Sequence, residues 1–310
     1  EFRPLRGDQP WGIFLVDFAG SRAYTTALRQ VLRRLVAKKP DIPAWQCENI
    51  LFICTTENQR FTFAHFRGAK PQQAKLTTFS WEPQEPLRTI CEFNLDSLRY
   101  DYDWDNETWL REWQQAFDIE RVTREFFGGY RKVFKEIQDI LYAQVTGESN
   151  EKEAKTWAHG YSLQFLNRLM FIYFIQKKRW LGDNPRFIRY FWDAYRGSKQ
   201  ASDTFFKDWL SALFFEAFSN KYQSRNEYLK RFPEDIHQAL AKAPFLNGGL
   251  FTRNELDACY SFNIPDEVFG LLFEEFEGWP GFFERYNFTI SETAPLDQEV
   301  AVDPEMIGKV

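Results

Sequence analysis

The first hundred residues of the chain alternate short apolar runs with turns. The runs at 11–18 and 49–55 are almost wholly apolar, which predicts strands covered on both faces. The runs at 60–67 and 75–81 alternate apolar with polar residues, as half-exposed antiparallel strands do. A further short apolar run predicts a last strand at 87–93.

A helical pattern interrupts these predicted strands. Between residues 24 and 39, Leu28, Val31, Leu32 and Leu35 recur at the spacing of one helix face. The resulting order of strand, helix and three strands indicates a mixed sheet with a helix on one face.

Helical periodicity extends from residue 104 almost to the end of the chain. Segment 161–180 is apolar on nearly every side, so we expect it to form a central, buried helix that starts near residue 151. The other predicted helices lie at 108–117, 119–142, 184–195, 203–218 and 264–276. The sequence therefore predicts an α+β fold. Its expected divisions are an α/β domain at 1–105, an α-helical domain at 106–290 and the start of a linker at 291–310.

Composition indicates a folded protein with a large core, because 44% of the 310 residues are hydrophobic and 18% are aromatic. The formal net charge is −5, so nucleic-acid binding requires basic residues gathered on one face. The four cysteines form no CxxC pair, which argues against a zinc site and favours a reducing cytoplasm. Cys54 lies in an apolar run and is expected to be a buried free thiol. The sequence contains neither a signal peptide nor an apolar run of about 18 residues, so we expect no membrane partner.

The segment 21–39 is strongly basic and contains no acidic residue. Arg29 and Arg33 lie one helical turn apart and away from the apolar stripe, and a face of this kind can follow a phosphate backbone. A solvated helix face is the alternative interpretation. A second basic cluster, at 177–179, also suits the negative end of a helix. The predicted DNA-binding residues are Arg22, Arg29, Arg33, Arg34, Lys38, Lys39, Lys177, Lys178 and Arg179.

The first predicted strand ends in Asp17-Phe18-Ala19, which resembles part of the core of the PD-(D/E)xK nucleases. Their site uses two carboxylates to hold Mg²⁺ and a lysine to orient the attacking water. Here alanine stands where the lysine is required, and Asp8 is the nearest upstream acid. We therefore expect a degenerate restriction-endonuclease-like domain. Asp17 is a weak catalytic candidate, and Mg²⁺ is expected only if the domain is active.

Other chemical signals are weaker. The acidic and aromatic run at 100–105 is expected to cap the following helix through Asp105 or Asn106, with a metal or partner site as the alternative. The sequence has no GxxxxGK[ST] and no GxGxxG after a strand, so no cofactor-binding residue is predicted. The three histidines are widely scattered, and we assign them neither a catalytic role nor a metal.

Three stretches of the second half carry a family resemblance: LNRLMFIYFIQKKRWL at 166–181, PFLNGGLF at 244–251, and FERYNFTI at 283–290 followed by 295–310. Together they resemble the helical region that precedes the adenine methyltransferase domain of type IIG restriction–modification enzymes. Related phage-defence methyltransferases, including the BREX kind, share this region. The resemblance covers about 155–310.

The resemblance implies a bacterial protein whose partners are double-stranded DNA and a downstream methyltransferase domain of the same polypeptide. That domain carries a Tyr-Tyr-Thr-Pro-like motif, an Asn-Pro-Pro-Tyr catalytic motif and the S-adenosylmethionine site. Neither motif occurs in this chain, so the cofactor is expected in a domain beyond it. The ending Gly308-Lys309-Val310 has no helix stop, and we expect the polypeptide to continue.

In that setting the helical part would act as a connector that contacts DNA phosphates and holds a methyltransferase in place while a base is flipped. Two alternatives remain open. One is a non-enzymatic scaffold of a phage-defence complex. The other is an active Mg²⁺-dependent DNA endonuclease with unusual ligands.

Overall fold

The structure contains a five-stranded mixed sheet whose strands are adjacent in chain order, with four strands from the first part of the chain and the fifth from near its end. The strands are β1 Trp11–Asp17, β2 Asn49–Thr56, β3 Arg60–Arg67, β4 Lys75–Trp81 and β5 Asp297–Glu299. The first and last strands run parallel to their neighbours, whereas β2, β3 and β4 form an antiparallel meander. The positions of the first four strands confirm the predictions made from the apolar runs. Two predictions about their exposure are wrong, because Leu15 of β1 is 54% exposed and most of β4 is buried.

The computed structural model describes residues 11–18, 25–38, 49–56, 60–68, 74–81, 89–147, 150–223, 225–246, 248–288 and 297–302. These residues fall into two compact units. The first lies within Glu1–Glu125, Arg285–Asn287 and Ser291–Val302, and the second within Phe126–Glu284, Phe288–Ile290 and Asp303–Val310. The predicted α+β class is confirmed, because a mixed sheet is followed by a mainly helical region.

Helix α1, Thr25–Lys38, covers one face of the sheet. Leu28 and Leu32 are buried in one apolar cluster with sheet residues that include Phe52 and Phe66. Cys54 belongs to the same cluster, and burial raises the pKa of its thiol to about 12. The expectation of a buried free thiol is therefore confirmed.

The opposite face packs against helix α3, Asn106–Ala116. Trp113 meets the His65 ring edge-on, with 5.8 Å between ring centroids. The helix begins after Asp105, whose side-chain oxygen accepts a hydrogen bond of 2.8 Å from the backbone N–H of Thr108. The capping prediction is thus confirmed, and this bond lowers the pKa of the Asp105 carboxyl.

The predicted strand at 87–93 is wrong, because helix α2 occupies Thr89–Ser97. A short apolar run cannot be assigned to strand or helix from its periodicity alone. The edge of β4 is instead paired in parallel by β5, with Leu76 opposite Asp297. That partner comes from a distant part of the sequence, which no local pattern reveals.

The second unit is helical and surrounds one long helix. This helix, α5 (Glu151–Lys177), starts after Asn150, whose side chain accepts from the N–H of Glu153, and is buried almost all round from Tyr161. The predicted central helix is confirmed. The remaining α-helices are α4 Ile119–Val145, α6 Phe187–Arg196, α7 Asn226–Arg231, α8 Glu234–Ala241, α9 Glu255–Ala258 and α10 Asp266–Phe273.

The predicted helix at 203–218 has an unusual geometry. Its residues form two π-helical segments, Phe205–Leu210 and Leu213–Ala217. Short 3-10 turns occupy Gly249–Phe251 and Phe282–Arg285. No helix in the described part of the chain is long and apolar enough to cross a membrane.

Candidate nucleic-acid interface

A buried arginine on α5 connects two of the three stretches that carry the family resemblance. Arg168 donates its Nε–H to the carbonyl oxygen of Leu250 at 2.6 Å. Its terminal nitrogens donate to the two carboxylate oxygens of Asp257 at 2.6 and 2.8 Å. The guanidinium also lies 4.9 Å from the ring centroid of Phe215. The helix and the PFLNGGLF stretch are therefore held together by one side chain.

Both charges of this ion pair are removed from water, since the side chains of Arg168 and Asp257 are 0% and 2% exposed. A buried charge is tolerated only when it is paired and hydrogen-bonded. Burial by itself raises the pKa of the Asp257 carboxyl, but the hydrogen bonds and charge of Arg168 outweigh it and the pKa is lowered. The carboxylate is therefore charged at neutral pH.

A second polar contact connects α5 to the third stretch. Tyr173 donates its hydroxyl to Glu284 Oε1 at 2.6 Å, and Arg186 lies 3.5 Å from Oε2 of the same carboxylate. The Tyr173 ring packs on Phe283 and Phe288, with centroid separations of 4.9 and 4.8 Å. Burial, followed by the Glu284 charge, raises the pKa of Tyr173 well above its usual value, so the hydroxyl remains a donor. The second and third stretches thus both contact the helix that contains most of the first.

The basic residues of α1 that are predicted to contact DNA differ in their exposure to solvent. Arg29 is buried at 5% exposure and donates to the Thr78 hydroxyl at 2.9 Å. Arg33 is half-buried and donates to the carbonyl of Ala74 at 3.0 Å, whereas Arg34 is exposed. Of this set, Arg34 presents its charge to solvent. Arg22 and Lys39 lie outside the described residues, as does the side chain of Lys38.

The second predicted cluster stands at the end of α5. Lys177 is half-buried, while Lys178 and Arg179 are exposed. Arg179 has a φ of 60° and donates to the side chain of Asp183 at 3.3 Å. Its charge is therefore partly compensated within its own turn.

The structure also brings together cations that the sequence patterns do not single out. A cavity of about 500 Å³ in the first unit is lined by the exposed residues Arg67, Lys75 and Arg111, with Thr77 buried beneath them. Arg67 and Lys75 face each other across β3 and β4. Because alternate residues of a strand share one face, both lie on the face of the sheet that packs against α3. The alignment of β3 with β4, which places Arg67 opposite Lys75, is the feature from which this pair of cations could have been predicted.

The acidic and basic side chains around this cavity differ in whether they have an ion-pair partner. Its two acids, Asp118 and Glu120, lie 3.6 and 3.8 Å from Arg124, which partly offsets their charge. Neither Arg67 nor Lys75 has a carboxylate within ion-pair distance in the part of the chain that the structure describes. The cavity mouth can therefore accept an anion such as a phosphate.

The floor of the cavity is neutral. His65 is buried at 4% exposure and lies 3.3 Å from Asn49 Oδ1. Burial, followed by the nearby Arg67 charge, lowers the pKa of His65 to about 3. An uncharged imidazole adds no further positive charge and is a poor candidate for acid–base chemistry near neutral pH.

Within the part of the chain that the structure describes, no metal site is recognisable. Asp17 stands at the exposed end of β1. Among the described residues, no group of three or more His, Cys, Asp or Glu is arranged to hold a metal ion. No glycine-rich turn of the GxGxxG kind follows a strand in the sequence, so S-adenosylmethionine is not assigned to this chain.

The chain is similar to a curated protein over about two hundred residues. It is 27% identical over 213 residues to the "Putative type II restriction enzyme and methyltransferase RM.MjaORFECS2P" of Methanocaldococcus jannaschii. The match covers 62% of this chain and 16% of that protein, so the chain spans a small part of its relative's length. No family model and no solved structure matches the chain. The similarity supports a relationship to restriction–modification proteins.

Proposed function

We propose that this chain is the part of a DNA restriction–modification protein that contacts the DNA backbone and positions a methyltransferase domain. The observation that carries the proposal is the 213-residue similarity to a protein named as restriction enzyme and methyltransferase. Of the three stretches that resemble the region before such a domain, the first lies largely in α5, and the other two contact it through Arg168 and Tyr173.

A positioning role requires a rigid frame, and the second unit has one. Two stretches that are far apart in the sequence are hydrogen-bonded to buried groups of α5. A buried network of this kind holds its members in one arrangement, because any other arrangement leaves a charge or a hydroxyl without a partner. A methyltransferase that extrudes a base needs such a fixed distance between its DNA contacts and its active site.

The first unit offers the candidate DNA contact. Arg67, Lys75 and Arg111 line one cavity on a chain whose net charge is −5. A local cluster is therefore needed to attract a polyanion. Contacts to phosphate of this kind fix the position of a protein on DNA without reading its sequence.

In the finer form of the proposal, a domain beyond this chain transfers a methyl group from S-adenosylmethionine to adenine, as in type IIG or BREX-like phage-defence enzymes. The resemblance of 155–310 to the region before that domain supports this form. The chain alone is then expected to bind no S-adenosylmethionine. Binding of that cofactor by the 310-residue chain, measured by calorimetry, would contradict the assignment.

DNA binding by the chain is the direct test. We expect it to bind a labelled duplex, with an affinity that falls as salt rises and falls further in the double variant Arg67→Glu with Lys75→Glu. Lys132→Glu, on an exposed position of α4, is a charge-reversal control that should bind like the original chain. Binding that is absent, or insensitive to both salt and the double reversal, would favour a protein-binding scaffold.

A further inference from the structure

A groove on the second unit is lined by cations from separate elements. It consists of two adjoining cavities of about 470 and 230 Å³. Lys207, Ser211, Phe215 and Arg253 line both cavities, and Lys221 lines the larger one. Together the two cavities reach the size at which proteins bind nucleotides and other small ligands.

The carboxylates of this groove are already engaged. Asp208 lies 3.8 Å from Arg231, and Glu216 accepts a 2.5 Å hydrogen bond from the hydroxyl of Tyr228. Lys207, Lys221 and Arg253 have no carboxylate within ion-pair distance among the residues that the structure describes. All three are exposed, and the Asp257 carboxylate that also lines the smaller cavity is paired with Arg168, so the groove presents positive charge to solvent.

The backbone of the groove has a rare geometry. The N–H groups of Phe218 and Lys221 donate to carbonyls five residues earlier, at Leu213 and Glu216. π-helical turns of this kind are rare, and they occur frequently at functional sites. Here they carry Lys207, Ser211 and Phe215 along one wall.

Arg253 is fixed by its surroundings. Its guanidinium carbon lies 4.1 Å from the ring centroid of Phe215, an aromatic ring that is 8% exposed. Stacking on a buried ring orients the planar guanidinium while leaving its N–H groups available to an anion. The half-buried rings of Tyr260 and Phe262 line the smaller cavity beside it.

Gly248 and Gly249 immediately precede Leu250 in the sequence, and groove residues follow it. A Cβ atom built at Gly248 or Gly249 would meet nothing within 4 Å. Internal packing therefore does not require glycine at either position.

We propose that this groove binds the phosphodiester backbone of a nucleic-acid strand, with Lys207, Lys221 and Arg253 as its phosphate contacts. The inference rests on the proposed function in taking nucleic acid as the ligand. It adds a second contact, on the helical unit, to the one on the sheet. Aromatic rings beside the cations also suit unpaired bases, so the strand can come from a duplex or from a single strand.

The test is the double variant Lys207→Gln with Arg253→Gln in the 310-residue chain. Its binding to a labelled duplex and to a labelled single strand is measured by fluorescence anisotropy across a salt series. Losing two phosphate contacts should reduce the slope of log affinity against log salt by about 1.8 for duplex or about 1.4 for single strand. If the slope is reduced for the duplex, the groove binds duplex DNA. If it is reduced for the single strand, the groove binds single-stranded DNA.

The matched control is Lys230→Gln with Lys242→Gln, which removes the same charge from exposed positions that do not line the groove. Equal binding and equal slopes for the two double variants would overturn the inference. If Arg253→Gln prevents folding, as judged by circular dichroism, Lys207→Gln with Lys221→Gln replaces it, because both lysines are exposed.

The outcomes for the two proposals can be told apart. If Arg67→Glu with Lys75→Glu abolishes salt-dependent binding while the groove variant behaves like its control, the groove inference fails and the proposed function stands. If the chain binds neither form of DNA, both fail. Binding of free nucleotides alone, without either strand, would also overturn the groove inference.

Discussion

Arg168 and Asp257 lie 89 positions apart in the sequence and form a buried, two-fold hydrogen-bonded ion pair in the second unit. The pair joins α5 to the first turn of α9, where Asn254 and Asp257 also form a reciprocal capping box. The carboxylate therefore serves two purposes: it neutralises the arginine and starts a helix. This double role makes the pair a sensitive point of the helical frame.

Removing one partner of this pair should destabilise the helical unit strongly. We expect Asp257→Asn to lower the free energy of unfolding by about 3–5 kcal/mol, because the guanidinium stays buried without a counter-charge. Urea unfolding followed by circular dichroism measures the change. The folded-state pKa of Asp257 is lowered, so its contribution is present above the unfolded pKa and lost as pH falls through the folded value.

An exposed ion pair provides the matched control. Lys135 and Asp139 pair one turn apart on α4, and their side chains are 67% and 58% exposed. Asp139→Asn should change the free energy of unfolding by less than about 0.5 kcal/mol. Equal losses for Asp257→Asn and Asp139→Asn would show that the buried pair does not stabilise the frame.

The buried imidazole of His65 should make the first unit sensitive to mild acid. Its pKa is about 3 in the folded chain, against about 6.5 when unfolded. Below pH 6.5 the unfolded chain therefore binds a proton that the folded chain does not. We expect the free energy of unfolding to fall by about 1.4 kcal/mol per pH unit from this residue, down to about pH 3.

The measurement is a set of urea unfolding curves between pH 7 and about pH 5, above the range in which carboxylates titrate. His65→Gln should flatten the pH dependence while lowering stability at every pH. His159→Gln serves as the control, because His159 is exposed on α5. An unchanged pH slope in His65→Gln would exclude His65 as its source.

The two arginines of α1 should respond differently to truncation. Arg29→Ala removes a charged hydrogen bond to Thr78 in the sheet, and we expect a loss of about 1.5–3 kcal/mol in the free energy of unfolding. Arg34→Ala, at an exposed position, should change it by less than about 0.5 kcal/mol. Thermal unfolding distinguishes the two variants, and a similar shift in both would contradict the burial of Arg29.

Because Arg29 is buried and Arg34 is exposed, only some substitutions in the basic segment 21–39 can test DNA binding. A charge reversal that includes Arg29 would weaken DNA binding through loss of folding, whatever its role on DNA. Arg34→Glu avoids that ambiguity, since its side chain is exposed. A fall in affinity with Arg34→Glu at unchanged melting temperature would support a DNA contact on α1.

Local sequence patterns predict where the strands and helices of this fold lie better than they predict which elements pair with each other. The strands at Arg60–Arg67 and Lys75–Trp81 follow directly from alternation of apolar and polar residues. Strand β5 has three residues and is defined by its pairing with β4, so its own sequence carries too little pattern. The helix at Thr89–Ser97 was missed because its apolar run fits both periods.

The candidate sites also depend on packing and strand pairing that local sequence patterns do not predict. Helical spacing places Arg29 away from the Leu28 and Leu32 stripe, yet the sheet offers the Thr78 hydroxyl on that side and the arginine is buried. Arg67 and Lys75 become neighbours only through strand register. A sequence shows which residues are charged, whereas the register and the packing decide which charges meet in solvent.

Two glycine-to-alanine substitutions should have opposite effects on stability. A Cβ at Gly281 would lie 2.5 and 2.6 Å from the backbone N of Phe273 and the backbone C of Leu272, atoms that cannot move without displacing α10. Gly281→Ala should therefore cost about 3 kcal/mol through overpacking. At Gly128, in α4, an added Cβ meets nothing within 4 Å, and alanine should stabilise the helix by about 1 kcal/mol. Urea unfolding of both variants measures the two changes, and effects of the same sign would show that the close approach at Gly281 is absent in solution.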